Sequence, residues 1–257
     1  MAIEIEFICK SKMRLCLSVL KDYFSSAHVD TLAVVATPKS LSVGSDDWCY
    51  YLFYSCLLDY GMKSSKYHEN LINTFEKFPE IFNPTYVIIH FLKQPDNLLS
   101  IMKENIHPRY PNVALRKWLN LSKELSCYSS IMEKIRSFGS VKELEDFIRR
   151  IQGYGQKTGG LLVRLLIDSF VCNFSDKLSF IPLDRHDLEI SYLNGIIPTT
   201  NLTSKQIDLL SSCFIEVGRE QEVEPSVVDK YLWEIGNTFC SKSRCSLCPL
   251  QKNCKTK

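Results

Sequence analysis

Apolar residues recur every three or four positions along most of this chain, which is the pattern of amphipathic α-helices. Two clear examples flank a short glycine-rich break, one with Val141, Leu144, Phe147 and Ile148 and the other with Leu161, Leu162, Leu165 and Leu166. The same pattern predicts further helices over residues 14–24, 48–58, 69–78, 85–92, 113–125, 131–138, 184–194, 204–217 and 225–239. Residues 31–37 form a short β-prone run. The sequence therefore predicts an all-α protein whose middle is a compact helical bundle.

A strongly apolar run follows a clear helix-start signal. Ser45 can cap a helix with its side-chain oxygen, and Asp46 and Asp47 place negative charge at the positive end of the helix dipole. The run from Trp48 to Leu58 is then predicted to be a strongly buried helix. Aromatic residues at helical spacing, such as Trp48 and Trp118, belong more often to a core than to a stacking site for a base.

The glycine-rich break, residues 151–160, predicts a tight hairpin between two helices. Gly153 and Gly155 bracket the turn, because glycine reaches positive φ without a Cβ clash and lets another backbone approach closely. Amides of the turn and of the next helix's first turn form a small positive nest that could hold a DNA phosphate. A plain connection between two helices is the alternative. Lys157 lies just past the turn.

Composition restricts the classes of function only weakly. The 257 residues, 45% of them hydrophobic, can bury a proper core in one large domain or two small ones. With 31 basic and 29 acidic residues, the overall charge argues neither for nor against nucleic acid. The end of the chain is different, because residues 240–257 contain no acid and five basic residues, Lys242, Arg244, Lys252, Lys255 and Lys257.

The start of the sequence does not resemble a secretory signal, because acids interrupt its apolar run and no basic stretch precedes it. No apolar run is long enough to span a bilayer. Seven of the 11 cysteines are scattered through apolar surroundings without regular spacing, which is typical of reduced thiols rather than of a secreted disulfide framework. We therefore expect an intracellular protein, in the cytoplasm, nucleoid or nucleus, with no membrane partner.

The other four cysteines lie close together at the end of the chain, as Cys240, Cys245, Cys248 and Cys254. Four thiolates this close together indicate a metal site. Zinc usually takes two Cys-x2-Cys pairs separated by a longer insert, whereas three unequal short gaps suit the corners of a cubane [4Fe–4S] cluster. The spacing therefore predicts a [4Fe–4S] cluster, with zinc as the alternative.

A second polar motif follows the hairpin helices. The segment around Pro182 is predicted to be extended, and Asp184 is predicted to open the next helix. An N-cap role, in which the carboxylate accepts amides of the first turn, is a sufficient explanation for many such aspartates.

Three motifs occur in a fixed order: Gly153-Tyr-Gly-Gln-Lys157-Thr, then Pro182-Leu-Asp184-Arg-His, then the terminal four-cysteine loop. Together they resemble the endonuclease III superfamily of helix–hairpin–helix base-excision DNA glycosylases, over about residues 45–257. The resemblance implies a six-helix barrel domain with the helix–hairpin–helix over residues 46–169. It also implies an α-helical [4Fe–4S] domain formed by residues 1–45 and 170–257, with the active site between the two.

The resemblance also implies roles for individual residues. Lys157 corresponds to the nucleophile of the bifunctional glycosylase/lyases, and Asp184 to the essential carboxylate. Damaged double-stranded DNA is the expected partner of a monomeric enzyme. The expected DNA contacts are Gly153, Tyr154 and Gly155 in the hairpin and Lys242 and Arg244 in the cysteine loop. For the last two, plain solvated charges are the alternative.

Three features depart from the family pattern. The first cysteine gap has four residues where the family usually has six, so Cys240 is the least secure ligand. The family's Leu-Pro before the hairpin is Ile151-Gln152 here. Where many relatives carry a glutamine that fills the hole left by the damaged base, this chain has Asp59-Tyr-Gly-Met62. No residue is therefore assigned as a wedge, and a branch away from the pyrimidine-damage enzymes is indicated.

Two other functions compete with a bifunctional glycosylase. A non-catalytic damage-binding protein could keep the fold and the cluster but lose the substrate pocket, and the presence of Lys157 and Asp184 argues against it. A monofunctional glycosylase is the second alternative, although relatives of that kind replace the lysine.

Overall fold

The computed structural model describes residues 7–25, 37–59, 64–172, 174, 181 and 183–255, and the regular elements within these ranges are all helical. This confirms the all-α prediction. The chain divides into two compact units, one formed by Met1–Val29 with Lys177–Lys257 and the other by Asp30–Asp176. The β-prone run, apart from Thr37, lies outside the described residues. So do Pro182 and residues 60–62.

Twelve α-helices lie in the described ranges. In chain order they are α1 (Lys10–Phe24), α2 (Asp46–Leu57), α3 (Ser64–Lys77), α4 (Pro84–Phe91), α5 (Pro95–Ile101), α6 (Pro111–Leu125), α7 (Ile131–Arg136), α8 (Val141–Arg150), α9 (Gln156–Asp168), α10 (Arg185–Leu193), α11 (Ser204–Glu220) and α12 (Pro225–Ile235). Short 3-10 turns cover Pro79–Phe82 and Cys245–Leu247, and π turns cover Met102–Ile106 and Gly236–Cys240. None of these described helices is both long and apolar enough to cross a membrane.

Helix α2 begins as its sequence predicts. The side-chain oxygen of Ser45 accepts the amide of Trp48 at 3.2 Å, as an N-cap does. Asp46 reaches further, since its Oδ1 accepts the hydroxyl of Ser130 at 2.9 Å and the amide of Met132 at 2.8 Å. The start of α2 is thereby joined to the start of α7 by charge-assisted hydrogen bonds.

The side chains of α2 form the centre of the Asp30–Asp176 unit. Tyr54 stacks on Trp118 with ring centroids 4.3 Å apart, and its hydroxyl shares a hydrogen bond of 2.6 Å with Ser122. The indole Nε1 of Trp118 donates to the carbonyl of Ile81 at 2.9 Å, which satisfies its polar group inside the core. Trp48 and Trp118 are fully buried, so both are core residues as expected.

Several helix boundaries differ from the sequence prediction. Helix α6 begins at Pro111, before the predicted start at residue 113, and proline suits the first helical position because its missing N–H costs nothing there. The helix expected to run to residue 239 changes to a π turn at Gly236. A Cβ at Gly236 would lie 2.8 Å from Cβ of His186, so glycine permits the close approach of α10. Helix α5 was not predicted.

The unit formed by the chain ends has a separate apolar core. Helix α1 packs on α11 and α12, and it buries Met13, Cys16, Leu17 and Leu20. Ion pairs of 2.6 Å join Lys10 to Glu216 and Arg14 to Glu220 at the exposed edge of this packing. Exposed pairs contribute little to stability, so burial of the apolar residues holds α1 in place.

Candidate functional site

The predicted hairpin is present between α8 and α9. Helix α8 ends at Arg150, α9 begins at Gln156, and Tyr154 N–H donates to the carbonyl of Ile151 at 3.2 Å within the turn. Gly153 has a φ of 112°, a conformation that residues with a Cβ rarely adopt. The helix–hairpin–helix arrangement that the sequence predicts is therefore formed.

The two hairpin glycines are required for different reasons. A Cβ on Gly153 would lie 2.9 Å from Cδ1 of Leu57, so both its φ and its surroundings demand glycine. Gly155 has a φ of −99°, which any residue can adopt, and no heavy atom lies within 4 Å of a Cβ built there. Positive φ therefore does not explain Gly155, which leaves an open face at the N-cap of α9.

Tyr154 holds the hairpin onto α2. Its side chain is only 6% exposed, its hydroxyl donates to the carbonyl of Phe53, and its ring meets that of Phe53 edge-on with centroids 6.0 Å apart. Because this side chain faces the core, the predicted DNA contact of Tyr154 would be made by its backbone amide, and that contact stays a prediction. The geometry gives Tyr154 the role of an anchor that fixes where the hairpin backbone lies.

Lys157 lies in the first turn of α9 with an exposed side chain. Because Gly155 has no side chain to cap the helix, the local cap is a hydrogen bond of 3.2 Å from Gly155 N–H to the hydroxyl of Thr158. The helix dipole places positive potential at this end. Arg149 and Arg150 lie just before the turn and Lys157 just after it, so basic residues flank the hairpin on both sides.

Asp184 caps α10 as predicted. Its Oδ1 accepts the amides of His186 at 2.7 Å and Asp187 at 3.2 Å, and Asp187 Oδ2 accepts the amide of Asp184 at 2.6 Å. These reciprocal bonds form a capping box, which holds the half-buried Asp184 carboxylate in one orientation. Asp184 lies in the unit of the chain ends, whereas Lys157 lies in the other unit.

The cysteine loop follows the π turn that ends at Cys240. Arg244 N–H donates to the carbonyl of Phe239 at 2.9 Å, and Ser243 has a φ of 53°, so the chain reverses sharply between the first two cysteines. Residues 241–247 are all exposed, so Lys242 and Arg244 lie in solvent. Leu250 is buried and attaches the loop to the core of this unit.

The four loop thiols lie near enough to influence one another. Burial, and then the neighbouring Cys248 and Cys254, raise the pKa of Cys240 to about 11. Burial first, and then nearby loop cysteines, also raise the pKa of Cys254. A metal ion or cluster would overcome this by stabilising the thiolates.

The donor set fits an iron–sulfur cluster chemically, because four sulfurs lie in one loop. Within the described ranges, however, no three His, Cys, Asp or Glu side chains are grouped so that they could hold a metal ion. A single zinc would require its thiolates at about 2.3 Å from one centre, whereas a cubane binds each thiolate at a different iron. Cluster and zinc both remain predictions.

Two side chains of α6 contact the hairpin and were not singled out by the sequence. Asn120 Nδ2 donates to Oε1 of Gln152 at 2.7 Å. The stem of Lys117 lies beside Gly153, with Cδ 3.5 Å from the position of a Cβ there. These residues are distant from the hairpin in sequence, so only the folded chain shows the contact.

No protein-family model and no curated protein sequence matches this chain. Solved structures with a similar fold include the 8-oxoguanine DNA glycosylase of Thermotoga maritima, with a TM-score of 0.58 and 16% identity over 88% of this chain and 97% of that one. The 8-oxoguanine glycosylase/lyase of Methanocaldococcus jannaschii, in complex with a 15mer DNA containing 8-oxoguanine, has a TM-score of 0.55 and 17% identity over 74% of this chain and 81% of that one. A further structure of the Methanocaldococcus jannaschii 8-oxoguanine DNA glycosylase has a TM-score of 0.55 and 18% identity over 74% and 78%. At these identities the comparison shows a common fold.

The two hairpin glycines provide a matched pair of substitutions. We expect Gly153→Ala to destabilise the protein by about 1–3 kcal/mol, because the new Cβ meets Leu57 and the φ is unfavourable. Gly155→Ala adds the same methyl group where there is space, so it should lower the melting temperature much less than Gly153→Ala, by the small cost of alanine at an N-cap. Thermal unfolding followed by circular dichroism measures both. Equal losses of stability in the two variants would contradict the assigned role of Gly153.

Proposed function

We propose that this protein is a bifunctional DNA glycosylase/lyase of base excision repair. The observation that carries the proposal is the glycine hairpin anchored on α2, with exposed Lys157 in the first turn of α9, in a chain that has the fold of 8-oxoguanine DNA glycosylases. The fold alone would not imply an activity, so the proposal depends on the chemistry that the hairpin residues can perform.

A base inside a duplex is not accessible to an enzyme, so the nucleotide must be extruded at a cost of a few kcal/mol. Contacts with phosphates offset that cost and fix the register of the strand. The hairpin backbone, held by Tyr154 and open at Gly155, is suited to one such phosphate. Lys242 and Arg244, exposed on the cysteine loop, would contact the backbone at another point.

In the proposed reaction, Nζ of Lys157 attacks C1′ of the damaged nucleotide, and the bond from C1′ to the base breaks. The base leaves with the electron pair of that bond and takes up a proton. The bound amine then loses a proton as the C1′–O4′ bond of the sugar ring opens and O4′ takes up a proton, which leaves Nζ joined to C1′ as a Schiff base. Removal of a proton from C2′ breaks the C3′–O bond and expels the 3′ phosphate by β-elimination, and water hydrolyses the imine to release the lysine. A nicked strand and a free base are the products.

Asp184 would serve the same reaction as a fixed carboxylate. Its Oδ1 accepts two amides of α10, so the side chain cannot rotate freely. A carboxylate held in this way stabilises the positive charge that develops on the sugar as the base leaves, and it can assist proton transfer. The capping bonds that stabilise α10 would therefore also orient the catalytic group.

The damaged base that we propose is an oxidised purine, with 8-oxoguanine as the first candidate. The structural neighbours act on 8-oxoguanine, and this chain lacks the glutamine found in many pyrimidine-damage enzymes at the end of α2. A panel of duplexes, each with one damaged base, scored separately for base release and strand cleavage, tests the choice. Cleavage of an oxidised-pyrimidine duplex alone would overturn it.

We also propose that Cys240, Cys245, Cys248 and Cys254 hold a [4Fe–4S] cluster. The number and spacing of the sulfurs support this, together with a loop attached to the core through Leu250. The cluster would stiffen the loop that carries Lys242 and Arg244, and the reaction itself needs no step at the cluster.

Replacement of Lys157 by glutamine tests the nucleophile. Without the amine no Schiff base forms, so Lys157→Gln should abolish borohydride trapping of the protein on damaged duplex DNA while most of the binding remains. Lys77→Gln, which removes an exposed lysine at the end of α3, is the control and should trap normally. Undiminished trapping by Lys157→Gln would disprove the assignment.

Two variants of Asp184 separate catalysis from helix capping. Asparagine caps helices about as well as aspartate, so Asp184→Asn should keep the melting temperature while it slows base release by about 10²-fold. Asp184→Ala should lose the cap as well, at about 1 kcal/mol. If Asp184→Asn released the base at the wild-type rate, only the capping role would remain.

The cluster proposal predicts a broad visible absorption band in the purified protein, together with iron and acid-labile sulfide. Cys248→Ser should lose these signals, whereas Cys127→Ser removes an exposed cysteine elsewhere in the chain and should retain them. A colourless protein with one zinc per chain, lost in Cys248→Ser, would establish the alternative metal.

A further inference from the structure

Lys117 on α6 lies against the hairpin. A Cβ built on Gly153 would be 3.5 Å from Cδ and 3.6 Å from Cγ of Lys117, so the methylene stem of the lysine crosses the turn where the glycine leaves space. The ammonium group is only two bonds beyond Cδ. A cation carried by a different helix is therefore placed at the edge of the hairpin backbone.

The position of α6 relative to the hairpin is fixed by a second contact. Asn120 lies one turn after Lys117, on the same side of α6, and its amide donates to Gln152 Oε1 at 2.7 Å. Helix α6 thus contacts two successive hairpin residues, Gln152 and Gly153. Since the hydroxyl of Tyr154 is hydrogen-bonded to α2, the turn is held by α2 and by α6 and cannot easily move away from Lys117.

The charges around Lys117 favour an anion. Lys117 is half-buried, and its neighbour Arg116 is exposed. Burial, and then the charge of Arg116, both lower the pKa of Lys117. A phosphate at this position would raise the pKa of Lys117 again, because its negative charge stabilises the partly desolvated ammonium. Arg149 and Arg150 at the end of α8 increase the positive potential of the same region.

We propose that Lys117 is a DNA-backbone contact that completes the phosphate site of the hairpin from a second helix. The ligand is a phosphodiester of duplex DNA, held between the ammonium of Lys117 and the hairpin backbone. This inference rests on the proposed function, since it takes DNA as the substrate. Lys117 acts as a positioning residue, which sets the register of the strand and leaves the bond-breaking steps to Lys157 and Asp184.

The salt dependence of DNA binding tests this contact. Each phosphate neutralised by a cation adds about 0.9 to the slope of log affinity against log salt concentration. Lys117→Met keeps an apolar stem against Gly153 but removes the charge, so its slope on an undamaged duplex should fall by about 0.9 while its melting temperature stays unchanged. Lys117→Arg should keep the wild-type slope.

Two further variants serve as controls for charge and for packing. Lys77→Gln makes the same change in net charge at an exposed position on α3, and its slope should equal that of the wild type. Asn120→Ala loosens the hairpin without removing a charge, so it should lower the affinity while the slope stays the same.

The outcomes distinguish this contact from the proposed enzyme activity. An unchanged slope in Lys117→Met, or an equal fall in Lys77→Gln, would overturn the contact at Lys117 even if base release is observed. A reduced slope in Lys117→Met alone, in a protein that never releases a base, would support the contact and reject the glycosylase proposal.

Discussion

The attachment of the hairpin to α2 is the constraint on which the candidate site depends. Gly153 can lie over Leu57 because it has no side chain, and Tyr154 extends into the core to bond the carbonyl of Phe53. These two contacts fix the position of the turn, and hence the direction in which α9 begins. The position of Lys157, the proposed nucleophile in the first turn of α9, therefore depends on these contacts.

Helix α2 can provide this attachment because it is held at both ends. Asp46 joins its first turn to α7, and Tyr54 packs on Trp118 in the middle of the core. A close-packed interior holds its helices in fixed positions, because it has few voids into which side chains can shift. The positions of the exposed polar residues at the hairpin therefore depend on the packing of an aromatic core.

In the proposed reaction, Asp184 combines a structural role with a chemical one. Its Oδ1 accepts two amides of the kind that any N-cap residue would satisfy, and the amide of Asp184 donates a third hydrogen bond to Oδ2 of Asp187. Such a carboxylate is oriented before any substrate arrives, which is the condition for efficient stabilisation of developing charge. The cysteine loop is also held by a structural contact, since the buried Leu250 attaches it to the core while its basic residues remain in solvent.

Much of this architecture is determined by the sequence alone, because helix periodicity, caps and glycine turns are local. The spacing of apolar residues predicts α8, Ser45 and Asp184 mark the helix starts that they cap, and the hairpin lies where its glycines indicate. Tertiary structure decided what local patterns do not encode. In the folded chain the side chain of Tyr154 is buried, and α12 ends in a π turn where α10 approaches Gly236. Folding also brings Lys117 and Asn120 into contact with the hairpin. Each of these depends on the packing of helices that are distant in sequence, and that packing is set by side-chain shape across the whole core rather than by neighbouring residues along the chain.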